Sequence, residues 1–183
     1  QRVLDVATGT GNAALAAARR FCDVTGVDYV PALLERGRQR AAAEALDVHF
    51  REGDAEALPF ADGSFDVVLS VFGVMFAPNQ EQAARELVRV CRPGATIGLA
   101  NHVPDSWLGE VFRTTGRYLP PPAGLASPFR WGTEEGLRQL FGDQLASLAV
   151  ARRTFTWRFR SAAHYLEFFK TYYGPTLKGF EAA

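Results

Sequence analysis

A chain of 183 residues, 48% hydrophobic and 22% charged, has enough apolar material for one domain with a full core. Lysine plus arginine equal aspartate plus glutamate at 20 each, so no net charge draws the chain to nucleic acid or to an anionic membrane. No stretch approaches the roughly 20 apolar residues of a membrane span, and Cys22 and Cys91, at no metal-ligand or CxxC spacing, fit a reduced cytoplasmic protein with no bound metal.

Strand and helix alternate through the first two-thirds of the chain. Val3–Val6 reads as a buried strand, and Ala13–Arg20 as an alanine-rich helix. Residue 1 already adjoins that core strand, so no secretory signal is expected. Asp23–Val27 is a second strand. A helix follows from Pro31 to Leu46, with proline tolerated in the first turn because its missing N–H is not needed there. Val48–Arg51 is a short third strand. Residues 52–60 form a loop with one helical turn, and 61–64 a tight turn. Phe65–Val71 is a continuously apolar fourth strand. Gln80–Cys91 is a helix ended by Arg92-Pro93-Gly94, and Ala95–Asn101 is the fifth strand. Repeated units of this length imply a mainly parallel sheet with helices on both faces.

The rhythm then changes. Helices are expected over Trp107–Leu119 and Thr133–Phe141, the latter capped by Thr133, with a proline-rich loop at 120–128 between them. Leu148–Phe159 alternates as a strand, with Phe155, Trp157 and Phe159 on one face. Ala162–Tyr173 is an amphipathic helix broken by Gly174-Pro175. Cys22 and Cys91 fall at helix–strand corners as small hydrophobes.

The residues after the first strand carry the chemistry. Gly9-Thr10-Gly11-Asn12-Ala13-Ala14 fits G-x-G-x-x-G/A, in which glycines allow a sharp turn and close ligand approach. The following helix aims free N–H groups and its positive dipole end at the same place. Asp28, 17 positions after Gly11, ends the second strand, where a carboxylate accepts from both ribose hydroxyls; its bland alternative is a helix N-cap. Loop plus acid fit either NAD or S-adenosylmethionine. Asp5 inside the first strand suits the ammonium of a methionine moiety, through backbone or water, and not a pyrophosphate. Asp54 after the third strand can accept from the exocyclic amine of adenine. No second glycine-rich approach to a pyrophosphate is present.

With Val3-Leu4-Asp5-Val6-Ala7-Thr8-Gly9-Thr10-Gly11, Val27-Asp28, Gly53-Asp54-Ala55-Glu56-Ala57-Leu58-Pro59-Phe60, Ser64-Phe65-Asp66-Val67-Val68 and Arg92-Pro93-Gly94-Ala95, the chain resembles the class I S-adenosylmethionine-dependent methyltransferases. Within them it is similar to the small-molecule branch that includes the ubiquinone/menaquinone enzymes. The likeness covers residues 2–101 well and the remainder loosely, through Trp131-Gly132 and the late strand. It implies a Rossmann-like three-layer α/β sandwich with sheet order 3-2-1-4-5 plus a late antiparallel strand, and methyl transfer to a small-molecule acceptor. Residue by residue, it implies that Ala7, Thr8, Gly9 and Gly11 lie under the methionine part, with Asp5 near its ammonium. Asp28 holds the ribose beside Tyr29, Asp54 and Ala55 read the adenine edge, and Ser70 and Val71 reach the methionine end. Ala7 stands where the family usually has glycine; a negative φ would accommodate its methyl group with a slightly displaced cofactor.

The family also carries a helical segment before the first strand and a final antiparallel strand, and 1–183 supplies neither. The expectation is one methyltransferase domain, 1–183, that is part of a longer protein; an intact native mass equal to that of these residues alone would overturn it. Residues 103–147 are expected to be a substrate-binding insertion. There Trp107, Phe112, Tyr118, Phe129 and Trp131 are interleaved with Arg113, Arg117 and Arg130, and Phe72, Met75 and Phe76 are expected to line the same cavity. His102, after the fifth strand, is the candidate general base; His49 and His164 read as structural. An NAD-dependent oxidoreductase and a non-catalytic module that keeps the fold are the competing readings.

Overall fold

The computed structural model describes residues 1–173, 176–177 and 180–181. Five parallel strands form one sheet in the order β3-β2-β1-β4-β5: β1 Arg2–Val6, β2 Asp23–Asp28, β3 His49–Glu52, β4 Phe65–Val71 and β5 Cys91–Ala100. The crossovers are α1 Asn12–Ala18, α2 Pro31–Ala43 and α3 Gln80–Val90. This is the expected Rossmann-like order, with β1 central and its loop at the point where the strand order reverses.

The period of two along β1 divides the core. Leu4 and Val6 face a large cluster built with α3, including Val68, Leu87 and Val90. Val3 faces the opposite side, where Ala14 and Ala18 of α1 meet Val24. The alanines of α1 let that short helix lie close on the sheet. Asp5 shares the α1 face with Val3 and is almost completely buried.

Several limits differ from expectation: α1 is Asn12–Ala18 where Ala13–Arg20 was expected, and α2 ends at Ala43, short of Leu46. Cys91 is the first residue of β5, paired with Phe65, and not the last of the helix. The pairing resumes at Val67 and Thr96, so Arg92-Pro93-Gly94 bulges out of the strand, with Gly94 at φ 78°. Residues 54–57 hold an isolated antiparallel bridge between Asp54 and Ala57 where a helical turn was expected. Beyond β5, α4 covers Trp107–Thr115 and stops at Gly116, four residues short of Leu119.

The late strand is not formed. Leu148–Phe159 takes no ladder partner among the described residues, so alternation alone has not made it a strand. Its Trp157 and Phe159 stack instead on Tyr165 and Phe169 of α6, Ala162–Tyr172, or on Trp107. Helix α5, Glu134–Phe141, has the expected cap, Thr133 accepting from the Gly136 amide at 3.1 Å. Gly174 and Pro175, expected to break the last helix, lie outside the described residues. No described helix is long and apolar enough to cross a membrane.

Candidate cofactor site

Residues 7–11 leave the carboxyl end of β1 as a tight loop. Gly9 and Gly11 have φ of 56° and 84°, in the left-handed region that glycine enters freely. Ala7 lies there too, at φ 53°, against the expected negative value. The loop therefore accommodates the alanine by straining it, at a cost of about 1 kcal/mol or more.

Asp5 organises the loop from below. Its Oδ2 accepts from the Thr8 hydroxyl at 2.6 Å and from the Ala14 amide in the first turn of α1 at 3.0 Å. One of the helix amides expected to be free is thus already satisfied, and Asp5 is buried beneath the loop. Burial pushes its carboxyl up to about 6; the two hydrogen bonds act against that rise, and the Asp28 charge adds to it. Thr8 donates its amide to the Val27 carbonyl at 2.9 Å, fixing the loop to β2.

Asp28 closes the loop from the side. Its Oδ2 accepts from the Gly9 amide at 2.8 Å and its Oδ1 from the Val30 amide at 3.0 Å. The N-cap of α2 is Val30, not Asp28. A carboxylate has about four acceptor positions, so two remain for hydroxyl donors. Above Gly9 the space is open: a Cβ placed there would meet nothing within 4 Å. Tyr29, beside Asp28, is 73% exposed.

Two supports escaped the sequence reading. Arg40 of α2 donates through one nitrogen to the Thr10 carbonyl, the Thr10 hydroxyl and Asn12 Oδ1, at 2.7–2.9 Å, bracing the loop from outside. Phe50 of β3 fills the space left by three glycines. A Cβ on Gly11, Gly26 or Gly37 would come within 2.9, 3.2 and 2.7 Å of its ring. The signal for it was Gly37 in the interior of α2, where glycine costs about 1 kcal/mol and needs a packing reason.

The expected adenine loop is anchored by α3. Glu86 accepts from the Leu58 amide at 2.6 Å, and Arg89 donates to the carbonyls of Leu58 and Phe60. The Arg89 hydrogen bonds hold the Glu86 carboxyl below its ordinary range, against the effect of burial. Gln82 reaches the Glu56 carbonyl at 3.0 Å. Asp54 is exposed, with Oδ1 accepting from the Glu56 amide, and Ala55 packs against the core.

At the end of β4 the expectations divide. Ser70 does not reach out: it is fully buried, donating to the Val6 carbonyl at 2.8 Å and accepting from the Val74 amide at 3.0 Å. Val71 and Phe72 are exposed at the carboxyl end of β4. Phe72 stacks on His102, ring centroids 4.4 Å apart, and burial lowers the His102 pKa. Met75, in the tight turn Val74–Phe76, is fully buried in the core. Phe129 and Trp131 are likewise core, against Phe112 and Phe141. Arg130 pairs with Glu81 of α3 and Arg113 with Glu110. Tyr118 and Trp107 remain exposed. Cys22 and Cys91 are half-buried at their corners, and burial pushes the Cys91 thiol up to about 11, which disfavours the thiolate.

Comparison with known proteins is concordant. A family model described as a methyltransferase domain matches residues 3–94. An uncharacterized protein of Mycobacterium tuberculosis is 42% identical over 186 residues, covering 98% of this chain and 66% of its own length. The demethylmenaquinone methyltransferase of Thermus thermophilus is 41% identical over 132 residues, 69% of this chain and 60% of that protein. The chain thus spans just under two thirds of the first relative's length. Among solved structures, the YcgJ protein of Bacillus subtilis superimposes with a TM-score of 0.63 at 26% identity, over 78% of this chain and 60% of that one. The glycine loop, the acidic tip of β2, the sheet order and these matches agree: the chain belongs to the methyltransferase-domain family, with the class I fold whose cofactor is S-adenosylmethionine.

Proposed function

We propose that this chain is the donor-binding part of an enzyme that transfers a methyl group from S-adenosylmethionine to a small, flat acceptor. The observation that carries the reading is the Gly9–Asp28 hydrogen bond beneath open space. It puts a carboxylate with unused acceptor positions beside a bare backbone, a combination suited to a ribose. When bound, S-adenosylmethionine supplies a methyl group on a positively charged sulfur.

The residues divide the remaining work. Ala7, Thr8, Gly9 and Gly11 form the floor for the methionine part, Asp28 takes the ribose hydroxyls, and Tyr29 covers the base. Asp54 and Ala55 meet the adenine edge, and Val71 borders the methionine end. Asp5 and Ser70 act through the backbone they hold. In-line displacement asks the protein mainly for alignment and exclusion of water. Where the acceptor carries a proton, His102 takes it; burial keeps the imidazole neutral and therefore able to accept.

Residues 103–147 form the acceptor wall within a single domain, with Phe72 and Phe76 on its donor side. The demethylmenaquinone methyltransferases among the relatives support a flat-ring acceptor. Zero net charge supports a small molecule over a nucleic acid.

Calorimetry with S-adenosylmethionine, S-adenosylhomocysteine and NAD on the intact protein tests the reading. Binding of both sulfur nucleosides and not NAD is expected. Preference for NAD would favour the oxidoreductase reading. Nucleoside binding without label transfer to any metabolite would favour the non-catalytic one.

A further inference from the structure

Two neighbouring parallel strands end in the same unusual way. β1 passes into its loop through Ala7 at φ 53°, and β4 passes into its turn through Phe72 at φ 54°. Neither residue is glycine, and any side chain with a Cβ is disfavoured there. Such strain persists only where the surroundings impose it, and it gathers at functional sites.

The two turns touch. Gly73 has an ordinary φ of −116°, so its own conformation does not call for glycine. Its surroundings do. A Cβ on Gly73 would lie 2.5 Å from the Ala7 Cβ and 2.8 Å from the Ala7 carbonyl oxygen. Ser70 links the same two turns, its hydroxyl joining the Val6 carbonyl, just before Ala7, to the Val74 amide, just after Gly73. Ala7 is therefore held between a fixed carbonyl on one side and a bare backbone on the other.

We propose that Gly73 is a positioning residue of the methyl-donor site: its missing side chain seats Ala7 in the left-handed conformation and so sets the donor loop. The proposal rests on the donor reading of that loop. From Ala7 the constraint passes to the Thr8 amide on Val27 and the Gly9 amide on Asp28. Displacement at Gly73 enters at Ala7 and leaves at the Gly9–Asp28 bond.

The test uses the intact protein as wild type, Gly73→Ala, Ala7→Gly and the double variant. Two readouts are taken: hydrogen exchange of the Gly9 amide without nucleoside, and calorimetric affinity for S-adenosylhomocysteine. Gly73→Ala is expected to speed Gly9 exchange and to weaken affinity, each by about tenfold. Ala7→Gly removes one of the two obstructing atoms, so the double variant regains at least about half of each loss on a logarithmic scale. A merely structural glycine would lower global stability in Gly73→Ala and leave Gly9 exchange and nucleoside affinity of the folded protein unchanged. Unchanged Gly9 exchange in Gly73→Ala, or a double variant no better than Gly73→Ala, overturns the proposal. If Gly73→Ala does not fold, the double variant decides: restored folding and binding support the proposal, and an unfolded double variant overturns it. Wild-type protein that binds neither sulfur nucleoside overturns the donor reading, while the exchange measurement still judges the Ala7–Gly73 contact.

Discussion

The Gly9 amide donates to Asp28 Oδ2 at 2.8 Å, tying the loop after β1 to the tip of β2. One carboxylate thus shapes the loop and remains available to a ribose. Asp28→Ala removes both functions and is expected to weaken S-adenosylhomocysteine binding by about 1–3 kcal/mol, roughly 5- to 150-fold. Calorimetry measures it; unchanged affinity would refute the ribose assignment.

Asp5 makes stability depend on pH. Burial raises its carboxyl from 3.8 to about 6, so the folded chain holds the proton more tightly than the unfolded one. The contribution is fully present below pH 3.8 and is lost as pH rises through about 6. The full span is on the order of 3 kcal/mol. Asp5→Asn keeps an acceptor for Thr8 and Ala14 but cannot ionise. Urea unfolding at pH 4 and pH 7 should show a smaller difference between the two pH values for the variant than for wild type. An identical difference would mean that Asp5 does not titrate in this range.

Ser70→Ala leaves the buried Val6 carbonyl and Val74 amide without their shared partner. The expected loss of stability is about 1–3 kcal/mol. Thermal unfolding reads it as a fall of roughly 2–4 °C per kcal/mol for a chain of this size. A melting temperature within 1 °C of wild type, on the order of the measurement error, would show that other groups satisfy the pair.

His102 has the lowered pKa of a partly buried imidazole, stacked on Phe72. Its neutral form therefore persists below the ordinary value of 6.5. The acid limb of kcat/KM should lie below that pH. His102→Gln should cost about 10²- to 10⁴-fold in kcat and leave nucleoside affinity intact. Full activity of the variant at every pH would remove His102 from the mechanism.

The local signals in residues 2–101 determined most of the fold and the outline of the site. Continuous apolar runs, spaced glycines and Asp28 act over a few residues, so the strands, the loop and the acidic tip were legible in the chain, while the strand order was implied by the family resemblance. Tertiary structure decided what depends on distant neighbours. Ala7 takes a positive φ with the bare backbone of Gly73, 66 positions away in sequence, packed against it. Ser70 and Met75 turn inward because β1 and α3 offer a carbonyl and an apolar cluster there. Leu148–Phe159 has strand alternation but no ladder partner among the described residues, since a strand requires a partner edge as well as a pattern. Chemistry-bearing residue types are written locally, but the direction a side chain faces is set by whichever element packs against it.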